Sequence, residues 1–267
     1  MSESSPINPA DSGFEVRTYF VRNRNALLAR ASFSELFVDY YLHLGDQKLK
    51  VEPEHDALFK RALAGFVLHC ASRPWNEMVA WTLHFQEPSL NIFLTGDNST
   101  GAVIGRVFTE NVREMGTNFF YADVVRGKEP KRRSAIDFVG GDPLAAAEMF
   151  FTRSEQRPAR YFQIGEEDFV LLSEHPDCDT KWFAELTAEK AAALDQSETL
   201  ALMERRVYRW HCGCNQQRMM EVLAPAMKED PDGLFGSDEK IEIRCPRCAA
   251  RHAITREAME AFVAGMK

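Results

Sequence analysis

The stretch IEIRCPRCAARHAI, residues 241–254, sets Cys245 and Cys248 in a CxxC between two short segments of alternating apolar residues. That alternation on both sides reads as strand, knuckle, strand. Upstream, WHCGC at residues 210–214 supplies Cys212 and Cys214 as a CxC, separated from the CxxC by the thirty residues 215–244. Two short knuckles from distant parts of a chain can bring four thiolates to one ion. Zinc has no ligand-field preference and takes four soft or borderline ligands in a tetrahedron. Cys212, Cys214, Cys245 and Cys248 are therefore the candidate Zn2+ ligands, with His211 and His252 beside them as spare candidates. A closed four-thiolate shell leaves no position for water, which argues against hydrolytic zinc chemistry.

Working outward, residues 208–267 form a unit of about sixty residues with little core of its own. Metal binding would supply most of its folding free energy, on the order of 10 kcal/mol. Before it, residues 179–207 are rich in Ala, Leu, Glu and Lys and lack Gly, so they read as a helical linker. Trp182, Phe183, Leu186, Leu194, Leu200, Leu202 and Met203 give those helices apolar faces that must dock on a neighbour. Residues 1–178 read as an α+β domain behind a loose polar terminus of about ten residues and a first strand near 14–20. A Ser-capped helix is expected from Ser32, and a second over 52–72 with Cys70 on its core face. Short-turned antiparallel strands follow near 79–86, 90–95, 102–109 and 118–125. The basic run at 128–133 reads as a solvated loop. Asp142 and Pro143 open a helix that ends before Pro158, and strands near 159–164 and 168–173 close the domain.

Composition narrows the function classes. The chain has 267 residues, 45% of them hydrophobic, and carries 32 Lys and Arg against 40 Asp and Glu. A net charge of −8 opposes the counterion release that drives general nucleic-acid binding. Residues 205–267 hold eleven basic against nine acidic side chains, without the strong basic face of a nucleic-acid zinc ribbon. No stretch approaches eighteen consecutive apolar residues and no secretory leader opens the chain, so no membrane partner and a cytoplasmic location are expected. Six cysteines are too few for a disulfide scaffold. GxSxG, GxxxxGK[ST], HExxH and GxGxxG are all absent, so no catalytic residues are assigned and a non-enzyme is expected. Spacing alone leaves open a static zinc ribbon, a redox switch, and, least favoured, a dithiol oxidoreductase.

The CxC, thirty-residue gap and CxxC, the segment GGDPLAAAEMFFTRSEQRPARYF at residues 140–162, and the helical stretch between them together resemble the Hsp33 family of redox-regulated holdase chaperones. The resemblance implies that the four cysteines hold zinc as thiolates while the chaperone is off. It implies that oxidative stress pairs Cys212 with Cys214 and Cys245 with Cys248, releases zinc and unfolds the terminal module. The linker would then undock, and Trp182, Phe183 and Leu186 would be exposed for unfolded or misfolded client proteins, with a homodimer as the expected oxidised assembly. A divergent member with purely structural zinc, acting as a protein-interaction module, is the alternative. Cys178 at the edge of the linker has no short-spaced partner.

Overall fold

The alternation at residues 79–125 becomes a run of antiparallel strands in the computed structural model, which describes residues 13–266. The polar opening expected to be loose lies outside them. Strands β1 (Phe14–Val21) and β2 (Ala26–Ser32) lead into helices α1 (Ser34–Asp46) and α2 (Pro53–Ala71). Then come β3 (Glu77–Phe85), β4 (Leu90–Asp97), β5 (Ala102–Phe108), β6 (Asn118–Arg126) and β7 (Arg132–Phe138). Helix α3 (Pro143–Arg153) precedes β8 (Ala159–Gln163) and β9 (Asp168–Glu174). Three short helices follow, α4 (Thr180–Ala184), α5 (Ala188–Ala192) and α6 (Leu194–Ser197), and then β10 (Leu200–Trp210). The chain continues through α7 (Gln216–Glu229), α8 (Pro231–Phe235), β11 (Lys240–Arg244), β12 (Arg251–Thr255) and α9 (Arg256–Gly265). The class is α+β, as read from the sequence.

Ten strands form one sheet in the order β7-β6-β3-β4-β5-β10-β1-β2-β9-β8, and β11 and β12 form a separate hairpin. All pairings are antiparallel except that of β10 with β5, a two-residue parallel contact joining two antiparallel halves. Helix α2 is buried continuously from Ala62 to Ala71 against the sheet, with Phe59, Leu63, Phe66, Val67 and Cys70 in the core as expected. Trp81 fills the centre, 5.3 Å from the Phe66 ring and 4.8 Å from Phe120. Asp142 caps α3, its side chain accepting from Leu144 N.

Three expectations are corrected. Residues through Ser32 are strand, and α1 starts at Ser34 with Phe33 at its N-cap and no side-chain cap. The Ser34 hydroxyl instead donates to Glu167. The basic run is not all loop, because Arg132 and Arg133 begin β7, an edge strand whose charged side chains suit its exposed side. The linker is helical over 180–197 but strand from Leu200, so the last strand to join the sheet is β10, inserted between β5 and β1. Its residues 200–208 pair with β1. Leu, Ala, Met, Glu and Arg are helix formers, yet here they are held extended by that pairing, with Arg206 and Tyr208 turned inward.

Candidate metal centre

The CxC motif is positioned by the sheet itself. At the end of β10, Arg209 N donates to Gly101 O (2.9 Å) and His211 N to Val103 O (3.0 Å), so the chain leaves the sheet beside β5 at a fixed point. Gly101 has a φ of +68°, and a Cβ there would overlap the Val207 carbonyl oxygen, so the junction requires glycine. Gly213, at φ +65°, turns the chain between Cys212 and Cys214. Asn215 caps α7 by accepting from Arg218 N (2.9 Å), and Arg218 Nη1 returns to Gly213 O (2.8 Å), bracing the loop from both ends.

The CxxC motif sits at the tip of the β11–β12 hairpin, the strand, knuckle, strand read from the sequence. Cys245 N donates to Ala250 O (2.8 Å) and Ala249 N to Cys245 O (2.9 Å). Ala249 closes the turn in a left-handed conformation, φ +62°. The four Sγ atoms all lie within 4.8 Å of one another. Close approaches run between the motifs, Cys212 to Cys245 at 3.7 Å and Cys214 to Cys248 at 3.5 Å. All four are free thiols. Neither histidine joins the group; His252 Nε2 lies 3.4 Å from Cys214 Sγ, a neighbour to the ligands.

Among themselves the thiols share charge unevenly. Hydrogen bonds from the Cys212 and Cys248 thiols, supported by the Arg247 and Cys248 backbone amides, hold the Cys245 thiol far below its ordinary range. Burial pushes Cys214 up to about 12, and the contacts with Cys212 and Cys245 hold Cys248 high. A cation at the centre of the cluster would reverse this by favouring the thiolate at every ligand. The cluster has the donors and the closeness to hold one metal ion.

The centre is docked on the N-terminal half of the chain. Ile104 on β5 is 1% exposed beneath it, packed with Cys245, Cys248, Ala250 and Trp210. His43 Nε2 on α1 is hydrogen-bonded to Cys248 O (2.7 Å), and Gln47 Oε1 accepts from Arg251 N (3.0 Å). No spacing rule could have linked these residues to the cysteines some two hundred positions away. The module has a small core of its own around Met219, Met227, Phe235, Ile254 and Met259.

The helical segment after β9 is docked too, against the other half of the sheet. Phe183 and Leu186 are buried with Ala191 and Leu194 against Val21, Leu28 and Leu172, while Trp182 is partly buried at the margin. Three arginines pin this segment. Arg24 pairs with Asp179 (2.7 Å) and Glu198 (2.9 Å) and lies 5.5 Å over Trp182. Arg30 grips both oxygens of Asp195, and Arg160 Nη1 donates to Leu186 O (2.8 Å). Cys178 packs at the edge of the same cluster and is not part of the four-cysteine group. Cys70 is fully buried, and burial raises its thiol far above the ordinary range.

Comparison with known proteins agrees with this geometry. A family model described as Hsp33 protein matches residues 164–255, which include β10 and all four cysteines. No curated protein matches the chain. Among solved structures, the 33 kDa chaperonin (heat shock protein 33 homolog) of Thermotoga maritima superposes with a TM-score of 0.73. The superposition covers 95% of this chain and 98% of that one at 14% identity, a likeness of fold. No helix of the described residues is long and apolar enough to cross a membrane. The cysteine-bearing part of the chain matches the Hsp33 family in sequence, and nearly the whole chain carries the Hsp33 fold.

Proposed function

We propose that this protein is a cytoplasmic, redox-regulated holdase chaperone whose four cysteines hold zinc in the resting state. The observation that carries the reading is the single cluster of four thiols docked on Ile104 and tied by β10 to the sheet on which the helical segment lies. Zinc fits the cluster. With Zn–S bonds of about 2.3 Å a tetrahedron has edges of about 3.8 Å, against which the Cys212–Cys245 and Cys214–Cys248 sulfur separations are 3.7 and 3.5 Å. A zinc ion held there would keep all four ligands deprotonated and tie the CxC to the CxxC.

When the thiolates are oxidised, each pair gives up two electrons to one two-electron oxidant as its S–S bond forms. Two equivalents of hydrogen peroxide would thus convert the four cysteines into two disulfides, each peroxide being reduced to two waters. The resemblance favours Cys212 with Cys214 and Cys245 with Cys248, and the crowding of all four sulfurs leaves the two cross-motif pairings within reach as well. Disulfide sulfurs no longer bind the ion. The module then relies on its small apolar core, and the knuckle loses its grip on His43 and Gln47. In this reading the chain between a domain spanning 1–178 and a switch module spanning 208–267 acts as a linker over 179–207, of which the docked helical part, residues 179–198, is what moves while β10 stays paired with β1. Loss of the module frees it, exposing Trp182, Phe183 and Leu186 to unfolded clients. Such binding is non-directional and uses no nucleotide.

The test is a titration of the reduced, zinc-loaded protein with peroxide or hypochlorous acid, following zinc with a chromophoric chelator and client aggregation by light scattering. Zinc loss coincident with aggregation suppression supports the holdase. Zinc that stays, or leaves without activity, assigns the centre a structural role and the chain a protein-interaction role. Peptide mapping of the oxidised protein reads the pairing, sedimentation reads its dimerisation, and turnover in an insulin-reduction assay would point instead to an oxidoreductase.

A further inference from the structure

A cavity of about 430 Å3 opens beside the metal centre, between the end of α1, β5 and the CxxC knuckle. That volume lies within the range of small-ligand sites, about 300–1,000 Å3. Its lining includes Lys48, Lys50, Arg106, Arg244 and Arg251 against one carboxylate, Glu110. In a chain whose net charge is −8, this local excess of positive charge runs against the average. Among the described residues, Lys48, Lys50, Arg106 and Arg244 form no ion pair, and Arg251 has only the half-exposed Glu242 at 3.6 Å. Arg106 donates weakly to Cys245 O (3.5 Å), while its Nε is shut off from water with no hydrogen-bond partner. Like charges gathered in a concavity with low-dielectric walls repel one another and concentrate anions there. Guanidinium forks match the geometry of phosphate oxygens, and lysine ammonium groups add point charge.

We propose that this cavity binds a phosphate-class oxyanion, which bridges the N-terminal half of the chain and the CxxC knuckle. Lys48 and Lys50 come from the segment after α1, Arg106 from β5, and Arg244 and Arg251 from the hairpin that carries Cys245 and Cys248. An anion between them holds the knuckle in its docked position. By linkage, whatever releases the knuckle lowers anion affinity, and a bound anion opposes that release by the same factor. The inference depends on the docked geometry and not on the holdase reading.

The experiment is calorimetric titration of the full-length, reduced, zinc-loaded protein with inorganic pyrophosphate and, separately, ADP, with metal content measured before and after. Saturable 1:1 binding of pyrophosphate is expected, weakened at least about tenfold in Lys50→Glu/Arg244→Glu and in Lys48→Glu, and unchanged in Lys228→Glu on α7. Pyrophosphate bound more tightly than ADP assigns the site to free inorganic phosphates, and equal or tighter binding of ADP assigns it to a nucleotide's phosphate groups. Metal content and circular dichroism identify a variant that has lost its fold, and Lys48→Glu tests the cavity without touching the hairpin. The proposal is overturned if pyrophosphate gives no saturable 1:1 binding, if it binds the charge-reversed variants as well as the parent, or if only ADP binds.

Discussion

Leu194→Ala isolates the docking of the helical segment from its proposed contact with clients, because Leu194 is 1% exposed within the docked cluster and lies outside the Trp182–Leu186 surface. Truncating a buried leucine costs about 2–5 kcal/mol through lost transfer and an unfilled cavity. The cluster lies near the surface and can partly collapse, so the low end applies, about 2–3 kcal/mol. If residues 179–198 open as a local unit, the cost falls on that opening and not on the whole fold. At about 1.4 kcal/mol per tenfold, amide exchange in this segment should accelerate about 30- to 150-fold in the reduced, zinc-loaded variant. Exchange in the β11–β12 hairpin and in α2 should not change. Hydrogen-exchange mass spectrometry reads each segment, and light scattering with a thermally unfolded client should show suppression without oxidant. Unchanged exchange over 179–198, or acceleration spread evenly over the chain, would refute a separable docked segment.

Other predictions follow from single groups. Cys212→Ser with Cys214→Ser removes half the ligand set, so bound zinc measured by atomic absorption should fall and the module should lose helix signal without oxidant; full zinc content would sink the assignment. Ala249→Gly relieves a left-handed alanine at the knuckle, worth about 1 kcal/mol, and should raise the melting temperature of the metal-loaded protein. His69 is 1% exposed with neither ring nitrogen hydrogen-bonded, and burial, reinforced by Arg73 and Arg157, lowers its pKa well below the ordinary value of 6.5. Its ring stays neutral when folded and gains a proton on unfolding below about pH 6.5, so stability is lost as pH falls. From pH 7.5 to 5.5 its share is about 1.4 kcal/mol. Urea unfolding at the two pH values should show that increment missing in His69→Phe, and an identical pH slope would contradict it.

Local pattern carried much of the architecture. The period-two alternation of Trp81, Leu83 and Phe85 and the face of α2 marked by Phe59, Leu63, Phe66 and Cys70 are visible in the chain and present in the fold. Where residue type conflicted with state, reading failed. Strand β2 is mostly Ala and Leu, and β10 opens with Leu, Ala, Leu, Met and Glu, all good helix formers. Partners far away in sequence hold them extended: β9 for β2, and β1 for β10. Strand β7 was hidden by Arg132 and Arg133, which its edge position tolerates.

Which four cysteines cluster was legible in the sequence alone, since two short-spaced pairs in a chain with few other cysteines leave little choice of donors, and each pair is shaped by its own local turn. What the centre rests on was decided only by tertiary structure. Ile104, His43 and Gln47 meet the knuckle because β10 inserts beside β5 and delivers Cys212 to that edge of the sheet. Those contacts join residues separated by up to about two hundred positions, where no periodicity extends. They exist only once the loop-closure entropy of bringing such distant segments together has been offset by the apolar surface they bury.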